Sequence, residues 1–251
     1  MNQLTKIALI GLSTIVFTAC GGGGDSSAED PTPSNATRLT ITSENATKVY
    51  ASYRQSFDEA IDFVEYIGRS SKLLNSSCAP TLNGTRILEN CEDTQLRLII
   101  DGRVTVNGDT NTEQFNMGYS NFTLTSIDDS SMIVLPGAFI DIDTNQGIWT
   151  GSWEGDVRKN GYDISLKAYT FTVDSQGYTY AALTKSSELG QWVEEKTTQA
   201  LNNFQDKNCP TTGEVLFRGN NSELKAVFNS DQTTTLYLNG EFFDDIPRCG
   251  N

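Results

Sequence analysis

The 251-residue chain contains no histidine. That absence removes Ser-His-Asp and Cys-His nucleophile pairs, histidine general bases and histidine-ligated metal sites. Any catalysis would fall to carboxylates, lysine, tyrosine or an isolated serine. No Cys-x-x-Cys spacing occurs, which argues against a zinc site. Neither a G-x-G-x-x-G nor a P-loop pattern is present, so no nucleotide cofactor is expected, nor any other resident cofactor. Bases are the minority, with 18 Lys and Arg against 32 Asp and Glu and a net charge of −14. Nucleic acid is therefore not an expected partner, because phosphate binding needs a basic face. After the first residues no apolar run approaches the roughly 20 residues of a spanning helix.

What the N-terminus does contain is one positive charge, Lys6, followed by the apolar run Ile7 to Phe17 and then Phe17-Thr18-Ala19-Cys20. A charged start, an apolar stretch of about 7–15 residues and small residues at its end describe a secretory signal. The tetrapeptide resembles the bacterial lipobox, with Phe17 where Leu is commoner. The resemblance implies cleavage before Cys20, a signal peptide over 1–19 and acyl chains on Cys20. Each buried methylene contributes about 0.8 kcal/mol, so several chains hold a protein on a bilayer almost permanently. Cleavage removes one base and no acid, which makes the net charge −15. Such a charge favours solubility and repels anionic headgroups, so the membrane is expected as a partner only through the acyl chains. Gly21 to Gly24 and the polar residues up to Thr37 cannot build a core. The span 20–37 reads as a lipidated cysteine and a flexible tether, stiffened at Pro31 and Pro33. By resemblance to lipoprotein sorting signals, the lack of Asp directly after Cys20 favours the outer membrane.

Cys78, Cys91, Cys209 and Cys249 remain. Four cysteines allow three pairings, and export makes disulfides the expectation. The sequential pattern, Cys78–Cys91 and Cys209–Cys249, is the one expected. The first would close a loop with an Asn83-Gly84 turn signal, and the second would bracket the last strands.

From Ser43 to Gly68 the apolar residues Ala46, Val49, Tyr50, Tyr53, Phe57, Ala60, Ile61, Val64 and Ile67 recur at gaps of three and four. This is one stripe of an amphipathic helix. Ser43 is the expected N-cap and Gly68 the expected stop. About 24 residues would make a helix of roughly 36 Å.

Beyond the first cysteine pair, period two takes over. Val104/Val106, Phe115/Met117, Phe122/Leu124 and Ile164/Leu166 alternate with polar residues, and Leu96, Leu98 and Ile100 keep the same period although Ile99 is also apolar. Tyr169-Phe171-Val173, the turn Asp174 to Gly177 and Tyr178-Tyr180-Ala182 form a hairpin pattern. Residues 188–208 fit either a strand from Gln191 to Glu195 or a short helix through Gln199 to Phe204. The fold class expected is mainly β: an antiparallel β-meander, as a curved open sheet, half-barrel or sandwich, with one long N-terminal helix packed on it. Residues 38–251 would form this β-rich domain, with 209–251 as a potential C-terminal β subunit.

Three constellations invite a chemical reading. Asp141, Asp143 and Asn145 place oxygen ligands at alternate positions, as calcium loops do. Gly147 and Ser152 depart from that pattern, which favours a polar turn. Trp149 and Trp153 share one face of a strand with Gly151 between them, a sugar-stacking platform if exposed and core filling if buried. Glu154, Asp156 and Asp163 are carboxylates that could hydrolyse a glycoside if they faced each other across a cleft. No catalytic residue is assigned. Asn35, Asn45, Asn75, Asn83, Asn121 and Asn220 begin N-x-S/T triplets, which the abundance of Asn and Thr explains without glycosylation.

The stretches FTACGGGGDSS, LTITSENATKVYASY, NFTLTSID and NCPTTGEVLFRG resemble a broad set of uncharacterised proteobacterial outer-membrane lipoproteins. That resemblance implies export, anchoring and a β-rich domain, and carries no activity or functional residues. A helix followed by a long meander also looks like the periplasmic lipoprotein carriers, in which a curved sheet cups a helix over an apolar groove. Three functions are therefore expected in order: a non-enzymatic envelope module binding an unknown protein, glycan or lipid; a carrier of hydrophobic ligands; and a carboxylate-dependent polysaccharide hydrolase.

Overall fold

Twelve strands follow one another in a computed structural model that describes residues 37–54, 57, 78, 82–94, 97–109, 111, 114–159, 162–202, 210–231 and 233–247. They are β1 (Gly84–Asp93), β2 (Leu98–Asp109), β3 (Gln114–Ser126), β4 (Met132–Asp143), β5 (Ile148–Lys159) and β6 (Tyr162–Asp174). The remainder are β7 (Gly177–Ser186), β8 (Val193–Asn202), β9 (Thr212–Arg218), β10 (Glu223–Phe228), β11 (Thr233–Leu238) and β12 (Glu241–Pro247). Each pairs antiparallel with the next in one open sheet, in sequence order. The β9–β12 stretch continues this sheet through the β8–β9 pairing, and its buried residues belong to the same core cluster.

Alternation of buried and exposed residues explains why these segments are strands. In β10, Leu224, Ala226 and Phe228 are buried while Lys225 and Val227 are not. In β3, β4 and β6 the alternation changes phase midway. The buried set in β3 runs Met117, Tyr119, then Phe122, Leu124; in β4 it runs Ile133, Leu135, then Ala138, Ile140, Ile142; in β6 it runs Ile164, Leu166, then Tyr169, Phe171.

The cause is a line of bulges across the sheet. Register shifts fall at Leu88/Cys91, Asp101/Arg103, Val134/Gly137, Trp153/Gly155 and Lys167/Thr170 on the strand pairs from β1–β2 to β6–β7, except β3–β4, which keeps one register. Bulges bend the strand and increase its twist. Asn90, Asn121 and Ala168 take left-handed backbone along this line, at φ 49°, 47° and 48°. Asparagine tolerates that conformation better than most residues, which accounts for part of its abundance here. Gly155 lies where a Cβ would sit 2.2 Å from the carbonyl oxygen of Val134.

The helix expected over Ser43–Gly68 is short among the described residues. It covers 46–54 (α1), with Phe57 also helical; the rest of the expected span, including 58–68, lies outside them. Asn45, rather than Ser43, stands at its entrance. Its carbonyl accepts the first helical bond from Val49 N–H at 2.9 Å, and its side chain accepts from Thr42 N–H at 2.9 Å. The expected apolar stripe is buried at Ala46, Val49, Tyr50, Tyr53 and Phe57. Tyr53 packs edge-on to Phe217 at 5.1 Å and parallel to Tyr180 at 6.2 Å, and Phe57 meets Tyr178 edge-on at 5.6 Å. Hydroxyl contacts from Tyr50 to Thr234 and from Ser52 to Ser186, each 3.1 Å, fix α1 against β11 and β7.

Before the helix, Arg38 forms a single parallel bridge to Trp192, and Asn220 N–H donates to Leu39 O at 2.8 Å. Residues 37–41 thus strap the chain to the segments around β8 and β10 rather than extending the sheet by a full strand. Residues 188–208 resolve as β8 up to Asn202, with 203–209 outside the described residues. Among the described residues no helix is long and apolar enough to cross a membrane.

Candidate functional site

The face of the sheet opposite the core carries an organised polar surface where β2, β3, β4 and β5 end or begin. Register sets it out in cross-strand rows. One row runs Asn107, Asn116, Asp141, Thr150 and Thr172. The row beyond it runs Asp109, Gln114, Asp143 and Ile148. Residues directly opposite on adjacent strands have Cβ atoms about 4.5–5.5 Å apart, so each row is a continuous strip of contacts. Most of these residues, with Gly108, Phe115 and Ile142 of the core-side row between them, line an open depression of about 480 Å³ at this end of the sheet, to which the outer face contributes Asn107, Asn116, Asp141, Gln114, Asp143, Ile148 and Thr150.

Amides and carboxylates alternate along these rows and hold one another. Asn116 Nδ2 donates to Asp141 Oδ1 at 2.5 Å, and Gln114 Nε2 donates to Asp143 Oδ2 at 3.0 Å. Asp143 also accepts from the backbone and side-chain N–H groups of Gln146, each at 3.0 Å. The Gln114 amide and then these Gln146 donors hold the Asp143 carboxyl below its usual range, so it stays ionised. An amide carries two N–H donors and an acceptor carbonyl. Orienting one N–H on a carboxylate therefore fixes the direction of the remaining polar groups.

The next row towards the middle of the sheet runs Thr105, Gly118, Phe139, Ser152 and Thr170. Phe139 is 44% exposed although it sits in a central strand. Its cross-strand neighbours are Gly118 and Ser152, and the same-face residues along β4 are Gly137 and Asp141. Space around Gly118 is open, with no atom within 4 Å of the position a Cβ would take. Three of the four flanking positions are thus small, and the ring stands clear beside the depression.

A second polar cluster lies inside the core. Glu195 is 3% exposed, and Tyr180 Oη donates to its Oε2 at 3.4 Å. Burial pushes the Glu195 carboxyl up to about 7, against the opposing pull of Thr184 and Tyr180 hydroxyls. Tyr169 and Tyr178 share a hydroxyl contact of 2.5 Å, and Tyr169 stacks on Tyr180 at 5.6 Å. Burial raises Tyr53, Tyr169 and Tyr180 well above the usual phenol range, so all three remain neutral. The cluster joins α1 to β6, β7 and β8, and the sequence patterns described above did not single it out.

The residues flagged from sequence fall as follows. Trp149 and Trp153 share the core-side face of β5, where Trp153 is 3% exposed and packs on Tyr169 at 4.9 Å. Trp149 is half-buried against the core. The pair is therefore not an exposed stacking platform, because the face that carries it is the one folded inward. Asp141 and Asp143 belong to the outer depression, and Asn145 lies in the turn between β4 and β5. Among the described residues, no group of three Cys, Asp or Glu side chains converges as a metal site. Glu154 and Asp163 are exposed, and Asp156 accepts a hydrogen bond from Ser165 Oγ at 2.7 Å on the neighbouring strand. Cys78 and Cys91 form the expected disulfide, with Cα atoms 5.7 Å apart. Cys20, Cys209 and Cys249 lie outside the described residues. Gln114, Asn116, Gly118 and Phe139 escaped attention because their proximity is created by strand pairing rather than by spacing along the chain.

Comparison of the chain with protein-family models, with curated proteins and with solved structures finds no match in any of the three.

Proposed function

We propose that the protein is a bacterial outer-membrane lipoprotein, anchored through Cys20 and a tether over 20–37, whose β domain is a non-enzymatic binding module. The sequence support for the anchor is the lipobox-like Phe17-Thr18-Ala19-Cys20 after an apolar run. The observation that carries the binding-module reading is the ordered amide and carboxylate surface on the solvent side of β2–β5. On this reading the aligned bulges curve the sheet into a half-barrel around α1, and the outer face does the recognition.

Two alternatives draw less support. A carrier needs an apolar space between helix and sheet, and the Tyr53 and Phe57 rings occupy that space against Phe217, Tyr180 and Tyr178. A carboxylate hydrolase needs two acids facing across a cleft, whereas Glu154 and Asp156 sit on the solvent side of one strand and Asp156 is held by Ser165.

Fractionation tests the anchor. The full chain is expected in the membrane fraction, with an acylated N-terminal cysteine by mass spectrometry. Cys20→Ser is expected to move to the soluble fraction; a variant that stays with the membrane overturns the anchor.

A further inference from the structure

We infer that the outer face of β2–β5 is a binding site for a neutral oligosaccharide, with the Phe139 ring stacking on one sugar face and the Asn116–Asp141 and Gln114–Asp143 pairs reading hydroxyl groups of the neighbouring residue. Resting on the binding-module reading above, this names the ligand class of that module.

Sugars present two chemistries at once. The axial C–H groups of a pyranose make an apolar patch that packs on an aromatic ring, and the equatorial rim carries hydroxyls that both donate and accept. A complementary surface needs a flat ring with room above it and planar groups offering donors and acceptors at fixed angles. Phe139 satisfies the first requirement: it is 44% exposed, with Gly118 and Ser152 across from it and Gly137 along its strand. Any larger side chain at Gly118 would stand beside the ring; glycine leaves that side open. The amide–carboxylate pairs satisfy the second, because mutual hydrogen bonds of 2.5 Å and 3.0 Å orient them before a ligand arrives. Such pre-orientation lowers the entropic cost of binding.

Spacing suits the ligand as well. Phe139 and Asp141 are two residues apart on one strand face, about 7 Å at 3.4 Å per residue. Neighbouring pyranoses in a chain lie on the order of 5 Å apart, so one sugar on the ring places the next over the Asn116–Asp141 pair. Thr105, Thr150, Thr170 and Thr172 extend the polar rows on both sides.

Charge decides among sugars. The lining of the depression contains Asp141 and Asp143 and no Lys or Arg, and Asp109 lies in the same row as Asp143. Phosphorylated or uronic-acid glycans would meet uncompensated repulsion in a protein of net charge −14. Anionic glycans are therefore excluded, and a neutral one is the class that the Phe139 ring and the paired amides suit.

The test uses the full chain purified from membranes in a detergent without a sugar headgroup, titrated by calorimetry with cellohexaose, chitohexaose and maltohexaose. Saturable binding of at least one probe is expected, with a Kd of about 1 mM or tighter. Phe139→Ala and Gly118→Val are expected to weaken it about three- to tenfold, the loss of one aromatic contact or of its free side. Phe242→Ala, which removes an exposed ring on β12 at the far edge of the sheet, is expected to leave it unchanged. Thermal unfolding of each variant separates loss of the site from loss of the fold. No binding of any probe by the folded wild type overturns the glycan assignment, as does binding insensitive to both Phe139→Ala and Gly118→Val. Salt-sensitive binding of hexalysine at the same face, without sugar binding, also overturns it while leaving a binding module in place. Failure of the Cys20→Ser release would overturn the anchor and not the sugar site.

Discussion

The hydroxyl of Tyr180 lies 3.4 Å from Oε2 of Glu195, in a core where the two residues are 4% and 3% exposed. A carboxyl in such a place is stable as the neutral acid and costly as the anion. The surrounding Tyr53, Tyr169 and Tyr180 phenols are neutral and supply no compensating positive charge.

Between pH 5 and pH 8 stability is therefore expected to depend on pH through this group. Its value in the fold is about 7 against an ordinary 4.5, so the folded state holds a proton that the unfolded state releases. The contribution is fully present below pH 4.5 and is lost as pH rises through 7. At about 1.4 kcal/mol per pH unit this amounts to about 3 kcal/mol. Denaturant midpoints at pH 5 and pH 8 should differ in that sense for the wild type, and Glu195→Gln should be the more stable form at pH 8. An unchanged pH profile in the variant would remove Glu195 as the cause.

Tyr53 is expected to be a main attachment of α1. It is fully buried and touches Tyr180, Phe217 and Phe228. Tyr53→Ala should cost about 3–5 kcal/mol, as for other buried aromatic truncations. Phe139→Ala should stay within about 0.5 kcal/mol, as for exposed positions. Urea unfolding of both variants measures the contrast.

Loss of the Cys78–Cys91 bridge, which closes a sequence separation of 13, is expected to destabilise by about 3 kcal/mol. The double variant Cys78→Ser/Cys91→Ser avoids a free thiol. A melting temperature equal to that of the oxidised wild type would show that the bridge contributes nothing to the fold.

Two glycines should differ in their response to alanine. At Gly155 a Cβ would stand 2.2 Å from the Val134 carbonyl oxygen, on the line of bulges. Gly155→Ala should destabilise by about 1–3 kcal/mol, the range for overpacking. At Gly118 nothing lies within 4 Å, and Gly118→Ala should leave the melting temperature nearly unchanged.

Much of the architecture was legible in residue order. The Tyr169–Val173 and Tyr178–Ala182 alternation around the Asp174–Gly177 turn becomes the β6–β7 hairpin, with Asp174 opposite Gly177. The helical stripe from Ala46 to Phe57 is buried as its spacing requires. β8 was obscured because its inward positions include Glu195 and Thr197, polar residues that read as exposed until their shared partner Tyr180 is known. Trp149 and Trp153 illustrate a different limit. Their shared face follows from period two, but which face turns inward does not.

By itself the sequence determined the sign of the charge, the lack of histidine chemistry and most of the strand and turn order, since each depends on residue type or local spacing. Only the tertiary structure decided which residues meet across strands. Phe139, Gly118, Asn116 and Asp141 come together through register between β3 and β4, and that register passes through positions where the period-two pattern breaks. A one-residue slip would move every side chain of a strand to the other face, so the site exists only once pairing across the whole sheet has fixed the register.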